Sequence, residues 1–135
     1  MRKKPIQIIS EETGDLGVSE FENLPFVPKR FFWLRGVDAS AVRANHAHTT
    51  CHQFLICQQG TITAKISGGD GQVQIHSMQV GSSIHLKPLH WLELCNFSTD
   101  AVLGVFASEP YSETEYLTNK EDLARLWSST ESSPR

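Results

Sequence analysis

From residue 31 to residue 107 the chain consists of apolar stretches four to seven residues long separated by turn-forming residues. That rhythm suits strands and leaves no room for a helical core. The run TITAKIS at 61–67 puts Ile62, Ala64 and Ile66 on one face and Thr61, Thr63, Lys65 and Ser67 on the other, because side chains alternate along a strand. Gly68-Gly69-Asp70-Gly71 then reads as a hairpin loop, since glycine and aspartate tolerate the positive φ of tight turns, and Val73, Ile75 and His76 begin the return strand. Phe31–Leu34 and the nearly all-apolar Gln53–Cys57 are strand-like, with Gln58-Gln59-Gly60 turning the chain. Further strands are expected at Ser83–Lys87, Trp91–Asn96 and Ala101–Ala107, the last apolar enough to be covered on both faces. Helical signals come only near the end: Thr118 and Glu121 have capping-box spacing, and Leu123, Leu126 and Trp127 follow on one helical face. The expected fold is an all-β barrel with its core at about residues 20–108, a short C-terminal helix at about 119–128 and a disordered tail at 129–135.

The length of 135 residues suits one domain that needs no metal or disulfide to hold it. A formal charge of −3 supplies no basic stripe for a phosphodiester backbone, so nucleic acid is not an expected partner. The opening MRKKPIQIIS is basic but has no long apolar run after it, and no later stretch is long enough to span a bilayer. The expectation is a cytoplasmic protein without a membrane partner. Cys51, Cys57 and Cys95 lack paired metal-ligand spacing and are expected as thiols in a reducing compartment.

The feature richest in chemistry is Asn45-His46-Ala47-His48, preceded by Arg43. Histidines two apart on a strand point to the same side. If that side is the barrel interior, His46 and His48 share one pocket as an acid/base pair, because imidazole exchanges protons near neutral pH. An inward Arg43 would favour an enediolate formed between two proton transfers. Two other readings stand beside this one: exposed histidines on an edge, and a metal site. Cupin barrels commonly hold a metal with a His-x-His pair, a glutamate a few residues on and a later histidine. Here Gln53 stands at the glutamate position and His90 is the available later histidine. A neutral amide is a poor transition-metal ligand.

Residues 20–118 resemble the sugar-nucleotide 3,4-ketoisomerases, WxcM-like cupins that act on dTDP-4-keto-6-deoxyhexoses. The resemblance lies in LPFVPKRFF (24–32), Arg43, the HAH of 46–48, QFLIC with QQG after it, the glycine-rich hairpin, KPLHWLEL, and AVLGVFASEPYSETEYL (101–117). The last segment is the most specific: a strand, then Ala-Ser-Glu-Pro-Tyr, then an acidic residue before Tyr116. The resemblance implies a cupin jelly roll and an isomerase that moves a ketone from C4 to C3, with no metal or cofactor and with His46 and His48 as catalytic residues. It also implies a homodimer with exchanged N-terminal strands, at work in making deoxysugars for surface polysaccharide such as lipopolysaccharide. Arg43, Arg30, Gln53, Trp91, Glu93 and His90 are the residues expected to bind substrate, Arg30 through the diphosphate and Trp91 by stacking. The chain departs from the family pattern in having Thr13-Gly14 for an Arg-Gly pair, Phe32 or Trp33 for a tyrosine, Thr49 for a lysine, and Leu92 for the histidine that follows the tryptophan. Two alternatives stay open: a non-catalytic sugar-nucleotide binder or partner subunit, and a metal-dependent cupin using His46, His48, Gln53 and His90.

Overall fold

A computed structural model describes residues 4–131. β1 (Gln7–Glu11) and β2 (Gly14–Val18) pair only with each other as an antiparallel ribbon. The remaining strands are β3 (Arg30–Arg35), β4 (Arg43–His48), β5 (Gln53–Gln59), β6 (Ile62–Ser67), β7 (Val73–Met78), β8 (Ser83–Leu86), β9 (Trp91–Cys95), β10 (Val102–Ala107) and β11 (Tyr116–Leu117). They form two sheets, ordered β3-β10-β5-β8 and β11-β4-β9-β6-β7, in which every pairing is antiparallel. One helix, α1 (Lys120–Glu131), follows. Consecutive strands often lie in different sheets, so the two inner faces close on each other as a jelly-roll barrel.

The interior is what strand alternation dictates. Ile62, Ala64 and Ile66 of β6 meet Leu92 and Leu94 of β9, Leu55 and Cys57 of β5, and Leu103 and Val105 of β10 in the main core. The alternate residues of β5 and β10 face the other way, where Phe54, Ile56 and Phe106 pack with Leu24 and Phe26. β10 is thus covered on both sides, as its apolar sequence implies. On the outer face of the five-stranded sheet, Leu123 of α1 lies over Ala47 and Trp91.

Two details differ from the sequence expectation. The side chain that caps α1 is Asn119, whose Oδ1 accepts the Glu121 N–H at 2.7 Å, rather than Thr118. The helix also continues to Glu131, so residues 129–131 expected in the tail are helical. The rest of that tail lies outside the described residues. Residue patterning does not mark the β1–β2 ribbon, whose strands carry too little apolar sequence to stand out; N-terminal strands are expected only from the family resemblance. Among the described residues, no helix is long and apolar enough to cross a membrane.

Candidate active site

β4 brings the two histidines into the barrel. Ala44 and Asn45 both adopt positive φ, at 66° and 58°, and the register with β9 slips between Ala44 and His46. This is a β-bulge, in which one strand carries an extra residue and re-aims its side chains. Because of it, Arg43, Ala44 and His46 all line the same cavity of about 120 Å³, together with Phe32, Leu34, Gln53, Leu55, Leu92, Leu94, Val105 and Tyr116. Larger grooves exist, such as one of about 440 Å³ around Gly60 and Asp100. It contains no histidine, so the smaller interior cavity, lined by His46, is the candidate site.

The imidazoles of His46 and His48 stand 5.0 Å apart, edge to face, and Tyr116 lies against both at 4.9 and 4.5 Å. His46 Nδ1 is 2.9 Å from the Ala44 carbonyl oxygen. His48 Nδ1 is 2.5 Å from Glu115 Oε1, and His48 is only 1% exposed. A carbonyl oxygen accepts and cannot donate, and so does a carboxylate. Each ring therefore carries its hydrogen on Nδ1, which leaves Nε2 of a neutral ring with its lone pair. His48 Nε2 is buried and has no hydrogen-bond partner. Burial, and secondarily the neighbouring His48, hold the His46 pKa below its ordinary value, against the opposing pull of the Ala44 carbonyl and Glu115.

Glu115 was not singled out as a site residue by the sequence, although it is the acidic residue before Tyr116 in the family-like segment. It is 8% exposed. Besides His48, its carboxylate accepts the backbone N–H of Cys51 at 3.1 Å and of Thr50 at 3.3 Å through Oε2. The strand β11 holds it there: Tyr116 pairs with His48 across the ladder, and the Thr49 N–H donates to the Glu115 carbonyl at 2.8 Å. The only signal available to sequence reading was the motif, because 67 residues separate the two partners.

The remaining expected site residues divide into two groups. Arg43 and Gln53 line the cavity. Arg30 faces inward beside it, its guanidinium 5.3 Å from the Phe32 ring and 5.7 Å from the Tyr111 ring, with Nε buried and without a hydrogen-bond partner. Trp91 and Glu93 do not belong to the cavity, which corrects the expectation that they bind substrate. Leu92 and Leu94 take the inward positions of β9, so alternation sends Trp91 and Glu93 outward. Trp91 is buried under α1, its Nε1 donates to Asn45 Oδ1 at 3.2 Å, and Lys120 sits 5.4 Å from its ring. Glu93 lies 3.9 Å from the same lysine. His90 is likewise turned away: its Nδ1 meets the Pro88 carbonyl at 3.0 Å and its ring meets Trp127. The ligand set His46, His48, Gln53 and His90 therefore does not converge.

A family model described as FdtA, WxcM-like, C-terminal, matches residues 1–128. The chain belongs to the FdtA family. Among curated relatives of this FdtA-family chain is the TDP-4-oxo-6-deoxy-alpha-D-glucose-3,4-oxoisomerase of Aneurinibacillus thermoaerophilus, 28% identical over 121 residues, covering 88% of this chain and 86% of that one. QdtA, a sugar 3,4-ketoisomerase from Thermoanaerobacterium thermosaccharolyticum solved in complex with TDP, superposes with a TM-score of 0.87 at 29% identity, covering 94% and 93% of the two chains. The TDP-quinovose 3,4-ketoisomerase WlaRB of Campylobacter jejuni gives a TM-score of 0.81 at 26% identity over 90% and 94%. The all-β cupin-like fold expected from the sequence is thus the fold of this family.

Proposed function

We propose that this chain is a sugar-nucleotide 3,4-ketoisomerase, an isomerase that moves the ketone of a TDP-4-keto-6-deoxyhexose from C4 to C3. The observation that carries the reading is the pair of imidazoles 5.0 Å apart, His46 lining the interior cavity and His48 buried directly against it, each with Nδ1 held on an acceptor, and His48 Nε2 without a hydrogen-bond partner. The C4 ketone acidifies the hydrogen on C3. One imidazole removes that proton, an enediol forms, and a proton is returned to C4 while the O3 hydroxyl proton ends on O4. Atoms and electrons balance within the sugar, so the reaction requires no redox cofactor. The environments of the two rings suit different halves of this exchange. His46, kept neutral by burial, is suited to accept the proton, and the Glu115 carboxylate offsets the charge of a doubly protonated His48 that delivers one.

Arg43 at the cavity wall suits the enediolate oxygen, and the unpartnered Arg30 Nε suits a diphosphate oxygen. Gln53 is buried in the same wall and offers an amide to a sugar hydroxyl. A homodimer fits the β1–β2 ribbon, whose Ile8, Ile9 and Leu16 are exposed, as are Phe21, Phe31 and Trp33 elsewhere on the surface. A two-stranded ribbon is marginal on its own in water, and exchange with a second copy would cover it. Three free thiols fit work in the reducing cytoplasm, on deoxysugars destined for surface polysaccharide.

The test is conversion of TDP-4-keto-6-deoxyglucose by His46→Asn and His48→Asn variants, with TDP affinity measured alongside. Loss of conversion in each, with TDP still bound, is the expected result. Full conversion in both refutes the assignment, and TDP binding without turnover by the unaltered protein identifies a binder instead.

A further inference from the structure

Cys51 plays no part in the chemistry above, yet its thiol lies against the residue pair on which that chemistry depends. His48, Cys51 and Glu115 are all buried, at 1%, 1% and 8% exposure. One donor atom from each, an imidazole nitrogen, a sulfur and a carboxylate oxygen, lies within 4.8 Å of the others. Among the described residues this is the only group of three or more His, Cys, Asp or Glu side chains so arranged. His46 is not part of it, so it differs from the His-x-His metal site considered from the sequence. The thiol is lightly held, donating to the His52 carbonyl at 3.3 Å, with Ser108 Oγ 3.8 Å away. Glu115 is more firmly placed, because two backbone N–H groups fix its Oε2 and leave Oε1 facing His48.

From these contacts we propose that His48 Nδ1, Cys51 Sγ and Glu115 Oε1 form an inhibitory zinc site. The donor set suits a borderline-soft ion: thiolate and imidazole favour Zn²⁺ over Mg²⁺ or Ca²⁺, and three protein donors leave the fourth tetrahedral position for water. Tetrahedral zinc holds its nitrogen, oxygen and sulfur donors about 3.3–3.6 Å apart. The His48–Glu115 separation of 2.5 Å must widen by less than about 1 Å, and the Cys51 sulfur, within 4.8 Å of both, must close by no more than about 1.5 Å. On binding, the thiol releases its proton to solvent, and the His48 hydrogen moves from Nδ1 to Nε2. That shift explains inhibition. Nε2 then carries a hydrogen instead of a lone pair, Nδ1 is held by the metal, and the ring can no longer take up and release a proton. The inhibitory half of this proposal rests on the isomerase reading, whereas metal binding does not.

The experiment titrates metal-free full-length protein with Zn²⁺ by calorimetry and with Co²⁺ by absorbance, reading the thiolate-to-cobalt charge-transfer band. Cys51→Ala and Cys51→Ser are compared with Cys57→Ala, which removes a buried thiol elsewhere, and thermal melts verify that each variant is folded. The unaltered protein and Cys57→Ala are expected to bind one Zn²⁺ per chain and show the band. The Cys51 variants are expected to lose the band and bind at least about 100-fold more weakly. Zinc should stop ketosugar conversion in the unaltered protein, a chelator should restore it, and Cys51→Ala should keep turning over in zinc. Absence of the band, or its persistence in folded Cys51→Ala, overturns the site. Zinc bound through Cys51 without effect on turnover overturns the inhibition. Zinc bound through Cys51 by a protein that converts no ketosugar upholds the site and refutes the isomerase reading.

Discussion

Replacing Glu115 by glutamine tests how the carboxylate serves His48. The carboxylate accepts three hydrogen bonds, from His48 Nδ1, Cys51 N and Thr50 N. Glutamine has one acceptor oxygen and an NH₂ group, so it must choose. If the NH₂ faced the backbone, two N–H donors would be left opposed, each at about 1–3 kcal/mol. If it faces His48, both backbone bonds survive with a neutral acceptor, at a combined loss of about 2 kcal/mol. The second arrangement is the cheaper one, and it has a chemical consequence. An NH₂ group facing Nδ1 needs a lone pair there, so the His48 hydrogen is driven to Nε2. For a chain of 135 residues, 2 kcal/mol corresponds to a Tm lower by about 7 °C. Turnover should drop by about 10³–10⁴-fold, the scale on which a wrong histidine tautomer is felt in hydrolytic triads, with little change in KM. Thermal melts and steady-state conversion of TDP-4-keto-6-deoxyglucose measure both. A kcat within tenfold of the native value beside a lowered Tm would refute the reasoning, because it would make Glu115 a structural brace only.

The depressed His46 pKa places the acid limb of kcat/KM below about pH 6.5, the ordinary histidine value. An acid limb at or above 6.5 would exclude His46 as the base. The same shift acts on folding: the unfolded chain takes up the proton first, so stability is intact above about pH 6.5 and falls as pH drops toward the folded-state value. Denaturant melts across that range should show this slope, and it should disappear in His46→Asn. Trp91→Ala, which empties a site 4% exposed beneath α1, should lower stability by about 3–5 kcal/mol and leave KM for the sugar nucleotide unchanged. A tenfold rise in KM at native stability would return Trp91 to the binding site.

Period-two patterning made much of this structure legible. It paired His46 with His48, set the inward face of β6, and marked β10 as covered on both sides. The same argument failed for β9, where Trp91, Leu92 and Leu94 are all buried. With both faces apolar, alternation alone does not say which residues see the cavity. Proximity of a strand to its turn misleads in the same way, since the backbone turns His90 onto its own neighbour Pro88 and onto Trp127. Glu115 was legible only as a member of a motif, since the ladder between Tyr116 and His48 is a long-range pairing that no local pattern encodes.

The bulge at the start of β4 has a consequence for how this barrel can be retuned. Simple alternation is enough to keep His46 and His48 together, but Arg43 lies three positions from His46 and would face solvent on a regular strand. One surplus residue, Asn45, brings it round. The cation and the imidazoles are thus placed by two separate devices within six residues: deleting Asn45 would remove the bulge yet leave Arg43 two positions from His46 and on its face, whereas drawing all six residues into one regular strand would turn the arginine outward and leave both imidazoles where they stand.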